Sequence, residues 1–222
     1  MKTLRILAID DHEMTMLGYK FILERIVFDD YNIIVDTANT YEAGKQKIED
    51  SVNSFKYDII FMDVQLFPPN EDQPKTGEDL GILARELVPE TKIAYMSSFS
   101  DNYRINSILK SVDPDGYLVK TDIDPKTLEN AVKTLIQNPP YYSSKALAAI
   151  RKKMSSNITL DEKDKKILYH ISVGTKTKDL EKFIKLSSSS IENRKRHLKS
   201  LFGAENKNDL ALILAAKKRG FI

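Results

Sequence analysis

The chain contains no cysteine, which excludes disulfides, thiolate metal sites and a cysteine nucleophile. It lacks any apolar run near the roughly 18 residues a membrane helix needs, so no membrane partner is expected. No internal repeat is present, and the one low-complexity tract is Ser187 to Ser190. Of the three histidines, His170 and His197 show no metal-ligand spacing, while His12, beside two acids, could suggest a metal ligand but reads rather as a residue at the start of a helix. Met1 to Asp10 is a basic start, a short apolar run and a terminal acid, so it reads as a strand rather than a signal peptide. A cytoplasmic location follows as the expectation.

What is present suits two modest soluble domains. The chain has 222 residues, 41% of them hydrophobic and 30% charged. Its formal net charge of +2 conceals a division: residues 1–150 hold 16 basic and 24 acidic groups, residues 151–222 hold 18 and 8. A surplus of +10 in the shorter part points to a nucleic-acid partner there. A lysine-rich solvated surface would give the same count, so charge alone does not decide.

Short apolar runs at Leu4–Ile9, Ile33–Ala38, Ile59–Met62, Ile93–Met96 and Tyr117–Val119 suit strands buried on both faces of a parallel sheet. Helical patterns lie between them: Met14, Leu17, Phe21 and Ile22; Leu80, Leu83, Ala84 and Leu87; Leu128, Ala131, Val132 and Leu135. This alternation predicts an α/β doubly wound, five-stranded parallel sheet, whose ligands bind at the carboxyl ends of the strands. Asn138-Pro139-Pro140 stops the last of these helices, Ser143 to Lys153 could form a linker helix, and Ser155-Ser156-Asn157 reads as a second break. Beyond Leu160 strand signals vanish, and helical stretches are expected at 161–172, 177–184, 188–202 and 206–218. The expected division is a domain over 1–137, a partly helical linker over 138–157 and an all-α four-helix domain over 158–222.

Asp10 and Asp11 follow the first strand, and Asp63 follows the third. If those strands are neighbours, the carboxylates converge, and like charges at that distance require a cation. Oxygen ligands without His or Cys favour Mg²⁺. Ser97 closes the fourth strand and Lys120 the fifth. Metal, carboxylate, hydroxyl and ammonium together suit phosphoryl transfer to an aspartate as acyl phosphate. Each residue alone has a plainer role, as helix cap, turn residue or surface charge; the joint pattern favours one site.

These residues carry a resemblance to the receiver domains of response regulators, which have a flavodoxin-like fold: Ile9-Asp10-Asp11-His12, Phe61-Met62-Asp63-Val64, Met96-Ser97-Ser98 and Gly116-Tyr117-Leu118-Val119-Lys120. The resemblance implies that Asp63 accepts the phosphoryl group. It also implies that Asp11, Asp63 and the Gln65 backbone carbonyl hold Mg²⁺, with Asp10 acting directly or through water. Ser97 and Tyr117 become a switch pair, although Tyr117 would serve equally as a core aromatic in an edge strand. Two departures stand out: the loop Leu66 to Thr76 before Gly77 is longer than usual, and Asp113-Pro114 stands where small residues are usual.

In the basic part, 177–184, Lys185-Leu186-Ser187 and 188–202 read as helix, turn, helix. Ser187 is placed to cap the second helix. Ile191, Leu198 and Phe202 lie on one side of it, while Glu192, Asn193, Arg196 and Lys199 project elsewhere, with Arg194 and Lys195 on the flank. Such a helix suits a DNA major groove. Arg196 could read guanine, Asn193 adenine and Glu192 cytosine. Lys176, Lys178, Lys182, Lys199 and Lys207 are candidate phosphate contacts, and Ser187, Ser190 and Arg194 complete the expected set.

The segment resembles the C-terminal domain of the NarL/LuxR family through Leu160, Ile167-Leu168, Ile171, Gly174, Lys178-Asp179-Leu180, Ile184, Leu186-Ser187, Ser190-Ile191, Gly203, Asn206 and Asp209-Leu210. It departs from it at Glu181, Lys185, Glu192 and Arg194. Together the resemblances imply a two-component response regulator of the NarL/FixJ type, not an enzyme. Phosphorylation by a sensor histidine kinase or small phosphodonor would control binding to double-stranded DNA. The last helix, through Leu210, Ile213 and Leu214, would support a homodimer. The alternatives are a phosphorylation-independent (orphan) DNA-binding regulator, a binder of RNA or protein, and an aspartate-nucleophile phosphatase. Adjacent Asp10-Asp11, in place of an Asp-x-Asp pattern, argues against the phosphatase.

Overall fold

Every apolar run expected as a strand forms one. In the computed structural model they are β1 (Lys2–Ile9), β2 (Tyr31–Ala38), β3 (Ile59–Asp63), β4 (Lys92–Ser97) and β5 (Gly116–Val119). The structure describes residues 2–28, 31–66, 75–98, 102–154, 158–219 and 221–222, with backbone alone for 102–104, 106 and 152–154. The long loop before Gly77 and the break at Ser155-Ser156-Asn157 therefore fall largely or wholly outside the described residues. No described helix is long and apolar enough to cross a membrane.

The sheet has six parallel strands, not five, in the order β2-β1-β3-β4-β5-β6. The addition is β6 (Tyr141–Tyr142), paired with β5 through Gly116↔Tyr141 and Tyr117↔Tyr142. Two residues are too few for a period to show in sequence. Their effect is to make β5 an inner strand, so Tyr117 is not on an edge strand. Ser143 extends the link: its N–H donates to the Tyr117 carbonyl at 3.0 Å, and its Oγ accepts from the Val119 N–H at 3.1 Å.

The strands alternate with α1 (Glu13–Leu23), α2 (Tyr41–Asn53), α3 (Gly77–Leu87), α4 (Asn102–Ser111) and α5 (Pro125–Gln137), followed by α6 (Ser144–Met154). Local chemistry starts several of them. The Thr40 side chain caps α2, and Thr76 with Asp79 forms a capping box at α3. Asp124 with Pro125 in the first turn starts α5. One sheet face packs Ile6, Ala8, Val35, Ile59 and Phe61 against Tyr19 and Leu23 of α1 and Leu128, Val132 and Leu135 of α5. Burying each such side chain contributes about 1.5–3 kcal/mol. On the other face α2 lies so close that a Cβ on Gly44 would meet Ile9 Cδ1 and Leu80 Cδ2, each at 3.0 Å.

The apolar residues that marked α1 lie mostly on its outer side, and of the four only Ile22 is half-buried against the core. Met14, Leu17 and Phe21 are 81%, 51% and 57% exposed, while Met16, Tyr19 and Leu23 are buried. Both stripes recur at three- and four-residue spacing, and the sheet takes the one that carries a tyrosine. At Asp113-Pro114 the chain turns through a left-handed Asp113, φ 48°. Arg85 holds this turn, donating to the carbonyls of Val112, Asp113 and Thr91 and to Asp115 Oδ2 at 2.6 Å.

The chain folds as two compact units, Met1–Ser100 with Ser107–Leu147, and Asp101–Asn106 with Ala148–Ile222. In the second, α7 (Glu162–Ser172), α8 (Ser188–Phe202) and α9 (Asp209–Lys218) surround Ile167, Leu180, Ile191, Leu198, Phe202 and Leu212. The stretch expected as a helix at 177–184 is a 3-10 helix, Thr177–Lys182. Its six residues bury Leu180, with Ile184 buried just beyond, in the tighter winding typical of short connectors. Ser187 caps α8 by accepting from the Ser190 N–H, and Gly203 ends it at φ +67°, which favours glycine. The serine tract is thus a cap and a first helical turn.

Candidate functional site

Register decides whether the acids meet. β1 pairs directly with β3, and Ile9 lies opposite Met62, so the next residues, Asp10 and Asp63, leave the sheet side by side. Asp10 and Asp63 are buried, at 0% and 5% exposure, and Asp11 is exposed. One ligand atom each from Asp10, Asp11, His12 and Asp63 lies within 4.8 Å of the others. The predicted carboxylates therefore form one cluster able to hold a metal ion. His12, read as a helix start in preference to a metal ligand, is the N-cap residue of α1, and it also joins the cluster. Its Nδ1 lies 2.7 Å from Asp11 Oδ1, and its N–H donates to Asp10 Oδ1 at 3.0 Å. The hydrogen bond to Asp11 and the nearby acids raise the imidazole pKa.

Lys120, one residue beyond β5, reaches the same point. Its Nζ is 2.6 Å from Asp10 Oδ2 and 2.7 Å from Asp63 Oδ2. Burial alone would lower this lysine, but the two carboxylates hold its ammonium above the ordinary range. Burial pushes the Asp63 carboxyl up against the pull of Lys120, and the charge on Asp10 adds to the rise. Three carboxylates, Asp10, Asp11 and Asp63, gather around the single ammonium of Lys120, which leaves the pocket short of positive charge. A hard divalent cation fits such a donor set, since the available ligands are carboxylate oxygens with a weakly placed imidazole at the rim. The Gln65 N–H donates to Asp63 Oδ1 at 3.2 Å, which brings the Gln65 backbone to the site. Ser97 is fully buried at the end of β4, one residue beyond the partner of Asp63 in the ladder. Tyr117 is fully buried, its ring centroid 6.4 Å from that of Tyr95.

Three supporting residues were not singled out in the sequence. Tyr19 on α1 feels the charges of Lys120, Asp10 and Asp63, and burial pushes its hydroxyl to about 12. Tyr95 donates to the Gly77 carbonyl at 3.0 Å. Gly77 in turn lies against the end of β3: a Cβ there would stand 1.9 Å from the Asp63 carbonyl oxygen. A glycine at the first helical position directly after a long loop was the available signal for this close approach.

The second unit presents a different surface. On α8, Ile191, Lys195, Leu198 and Phe202 are buried, while Glu192, Asn193, Arg196 and His197 are exposed. Arg196 Nη2 donates to Asn193 Oδ1, so the two expected base readers are adjacent. Lys178 and Lys207 are exposed, and Lys182 pairs with Asp179 at 2.9 Å. Ser190 stays with its cap, its Oγ 3.0 Å from Ser187 Oγ. Two expected contacts are engaged within the domain. Arg194 Nη1 lies 2.7 Å from both Asp161 and Asp164, tying α8 to the first turn of α7. Lys199 pairs with Asp209 at 3.0 Å and donates to the Lys207 carbonyl at 2.8 Å. Leu210 and Leu214 on α9 are exposed, as a contact surface requires, and Ile213 is half-buried.

No protein-family model matches the chain. Among curated proteins it is similar to the oxygen regulatory protein NreC of Staphylococcus aureus, 24% identical over 231 aligned positions that cover 97% of this chain and 98% of the relative. Among solved structures it is similar to RcsB from Salmonella enterica serovar Typhimurium bound to a promoter in the presence of the phosphomimetic BeF3-. That likeness has a TM-score of 0.62 and 17% identity, covering 97% of this chain and 98% of the other. It is also similar to a LuxR-family two-component response regulator from Aurantimonas sp., with a TM-score of 0.58 and 19% identity over 70% of this chain and 100% of the other. At these identities the structural likenesses establish the fold, and the curated relative spans both units.

Proposed function

We propose that this chain, similar along both units to the regulator NreC, is a response regulator of the NarL/LuxR type in which phosphorylation of Asp63 controls sequence-specific binding to double-stranded DNA. The observation that carries the proposal is the position of Lys120, whose ammonium lies within 2.7 Å of both Asp10 and Asp63 at the carboxyl ends of the strands. In this reading residues 1–137 are the receiver, 138–157 the linker and 158–222 the DNA-binding domain.

An Asp63 carboxylate oxygen attacks the phosphorus of a phosphohistidine on a sensor kinase, or of a small phosphodonor. The bond from phosphorus to the donor breaks as the acyl phosphate forms. Asp10, Asp11, Asp63 and the Gln65 carbonyl are the proposed Mg²⁺ ligands. The ion, when bound, supplies charge neutralisation at the phosphoryl oxygens. Lys120 binds the phosphoryl group as a second cation, and Ser97 donates a hydrogen bond to it. The chain acts as the acceptor of one phosphoryl group and turns over no separate substrate. Movement of Ser97 and Tyr117 on phosphorylation then shifts the receiver surface.

On the DNA side, Glu192, Asn193 and Arg196 read base edges, and Lys178, Lys207, Ser187 and Ser190 contact the backbone. Arg194 supports α8 from within through its two aspartates. A homodimer formed partly through α9 would match two half-sites. A cytoplasmic location fits a duplex DNA partner.

The test is selection of bound genomic fragments with and without beryllofluoride and Mg²⁺. The expected result is a tighter, sequence-defined set with the analogue, and no such gain in Asp63→Asn. Identical sets in every state would leave an orphan DNA-binding regulator in place of a phosphorylation switch.

A further inference from the structure

α8 buries a charged residue that neither groove reading nor core packing needs. Lys195 lies on its apolar stripe between Ile191 and Leu198, with its side chain 7% exposed. Its Nζ donates to Thr177 Oγ1 at 2.6 Å and pairs with Asp209 Oδ2 at 2.8 Å, with Glu192 farther off at 3.7 Å. The other oxygen of Asp209 pairs with Lys199 at 3.0 Å. One carboxylate at the start of α9 thus serves two ammoniums on α8. Lys195 is too deep to reach a ligand, whereas Lys199 is 20% exposed and steadied by the Lys207 carbonyl.

We infer that Lys195 is a positioning residue for DNA binding that acts through Asp209, neutralising this carboxylate so that the charge of Lys199 remains available to a phosphate. The inference rests on the DNA-binding reading above. The electrostatics are simple. Within 3.0 Å the two ammoniums share the one Asp209 carboxylate, Glu192 standing farther off at 3.7 Å and 54% exposed, and of the two only Lys199 can present positive charge at the surface. Without Lys195, Asp209 and Lys199 form a neutral pair, and the protein loses one effective phosphate contact although Lys199 is still there. Each phosphate neutralised on duplex DNA contributes about 0.9 to the slope of log affinity against log salt concentration. A lysine that only held the fold together would weaken binding without changing that slope.

The experiment is fluorescence anisotropy of the full chain with a labelled mixed-sequence duplex across a salt series. Lys195→Met is expected to flatten the slope by about 0.9, whereas Asp209→Asn keeps the wild-type slope, because Lys199 remains the one ammonium of the pair that can reach a phosphate. The double variant should return to the wild-type slope, since Lys199 then stands free of any acid. A circular dichroism melt checks that each variant folds. If Lys195→Met does not fold, Lys195→Gln takes its place, with the same flattening expected. A wild-type slope in the folded Lys195 variant, or a flattened slope in the double variant, overturns the inference while leaving the DNA reading intact. Absence of any salt-dependent binding by the wild type overturns the reading itself.

Discussion

Each unit holds a lysine among carboxylates, half-buried at Lys120 and buried at Lys195, and the charge around the two differs. Lys120 is shared by two carboxylates, Asp10 and Asp63, with Asp11 beside them. Lys195 shares one carboxylate, Asp209, with a second ammonium. The first cluster is short of positive charge and completes itself with a cation, which suits Mg²⁺ and a phosphoryl group together. The second sets two ammoniums against one carboxylate within 3.0 Å, with Glu192 farther off at 3.7 Å, and would suit an anion such as a DNA phosphate. The sign of each imbalance, more than the presence of either lysine, indicates what binds there.

The largest effect that would break this contrast is at Asp63. Asp63→Asn is expected to abolish incorporation of a phosphoryl group from a small phosphodonor with Mg²⁺, read by intact mass. Incorporation at the wild-type level would place the acceptor elsewhere. The next test applies one substitution to both lysines. Lys120→Met leaves two buried carboxylates without their partner and should cost about 3–5 kcal/mol of stability in metal-free urea titrations. Added Mg²⁺ should restore more of that loss than it adds to the wild type. Lys195→Met leaves Asp209 still paired with Lys199 and partly solvated, so its cost should be near 1 kcal/mol, with no response to Mg²⁺. Equal losses at both positions would remove the distinction drawn here. Gly77→Ala should follow Lys120→Met, with a loss of about 1–3 kcal/mol. Its new Cβ would meet the Asp63 carbonyl at 1.9 Å and force α3 away from the end of β3.

What could be read from the sequence follows from the kind of signal involved. The carboxylate cluster was legible because parallel strands place residues that follow them on one rim, so Asp10, Asp63 and Lys120 needed only the strand order to meet. The exposed face of α8 was legible because Ile191, Leu198 and Phe202 mark its buried side unambiguously. Lys195 was not, since a lysine on an apolar stripe looks like a flank residue until Thr177 and Asp209 arrive from elsewhere in the chain. The ion pairs of Arg194 with Asp161 and Asp164 were hidden for the same reason, being 33 and 30 residues apart. The strand β6 carried no period at all.

The face of α1 is the one place where a regular pattern marked the outer side, and it gives the smallest expected effect. On α8 the inward stripe had no apolar competitor; on α1 two stripes competed, and the sheet buries Met16, Tyr19 and Leu23 while Leu17 stays 51% exposed. Leu17→Asp should therefore change the urea midpoint by no more than about 0.5 kcal/mol equivalent, the range for surface positions. If Leu17 were on the core face, the same change would bury an unpaired carboxylate and unfold the unit. A near-neutral result would also support the placement of Tyr19 behind the carboxylate cluster, because helix geometry cannot turn Leu17 and Tyr19 toward the sheet together.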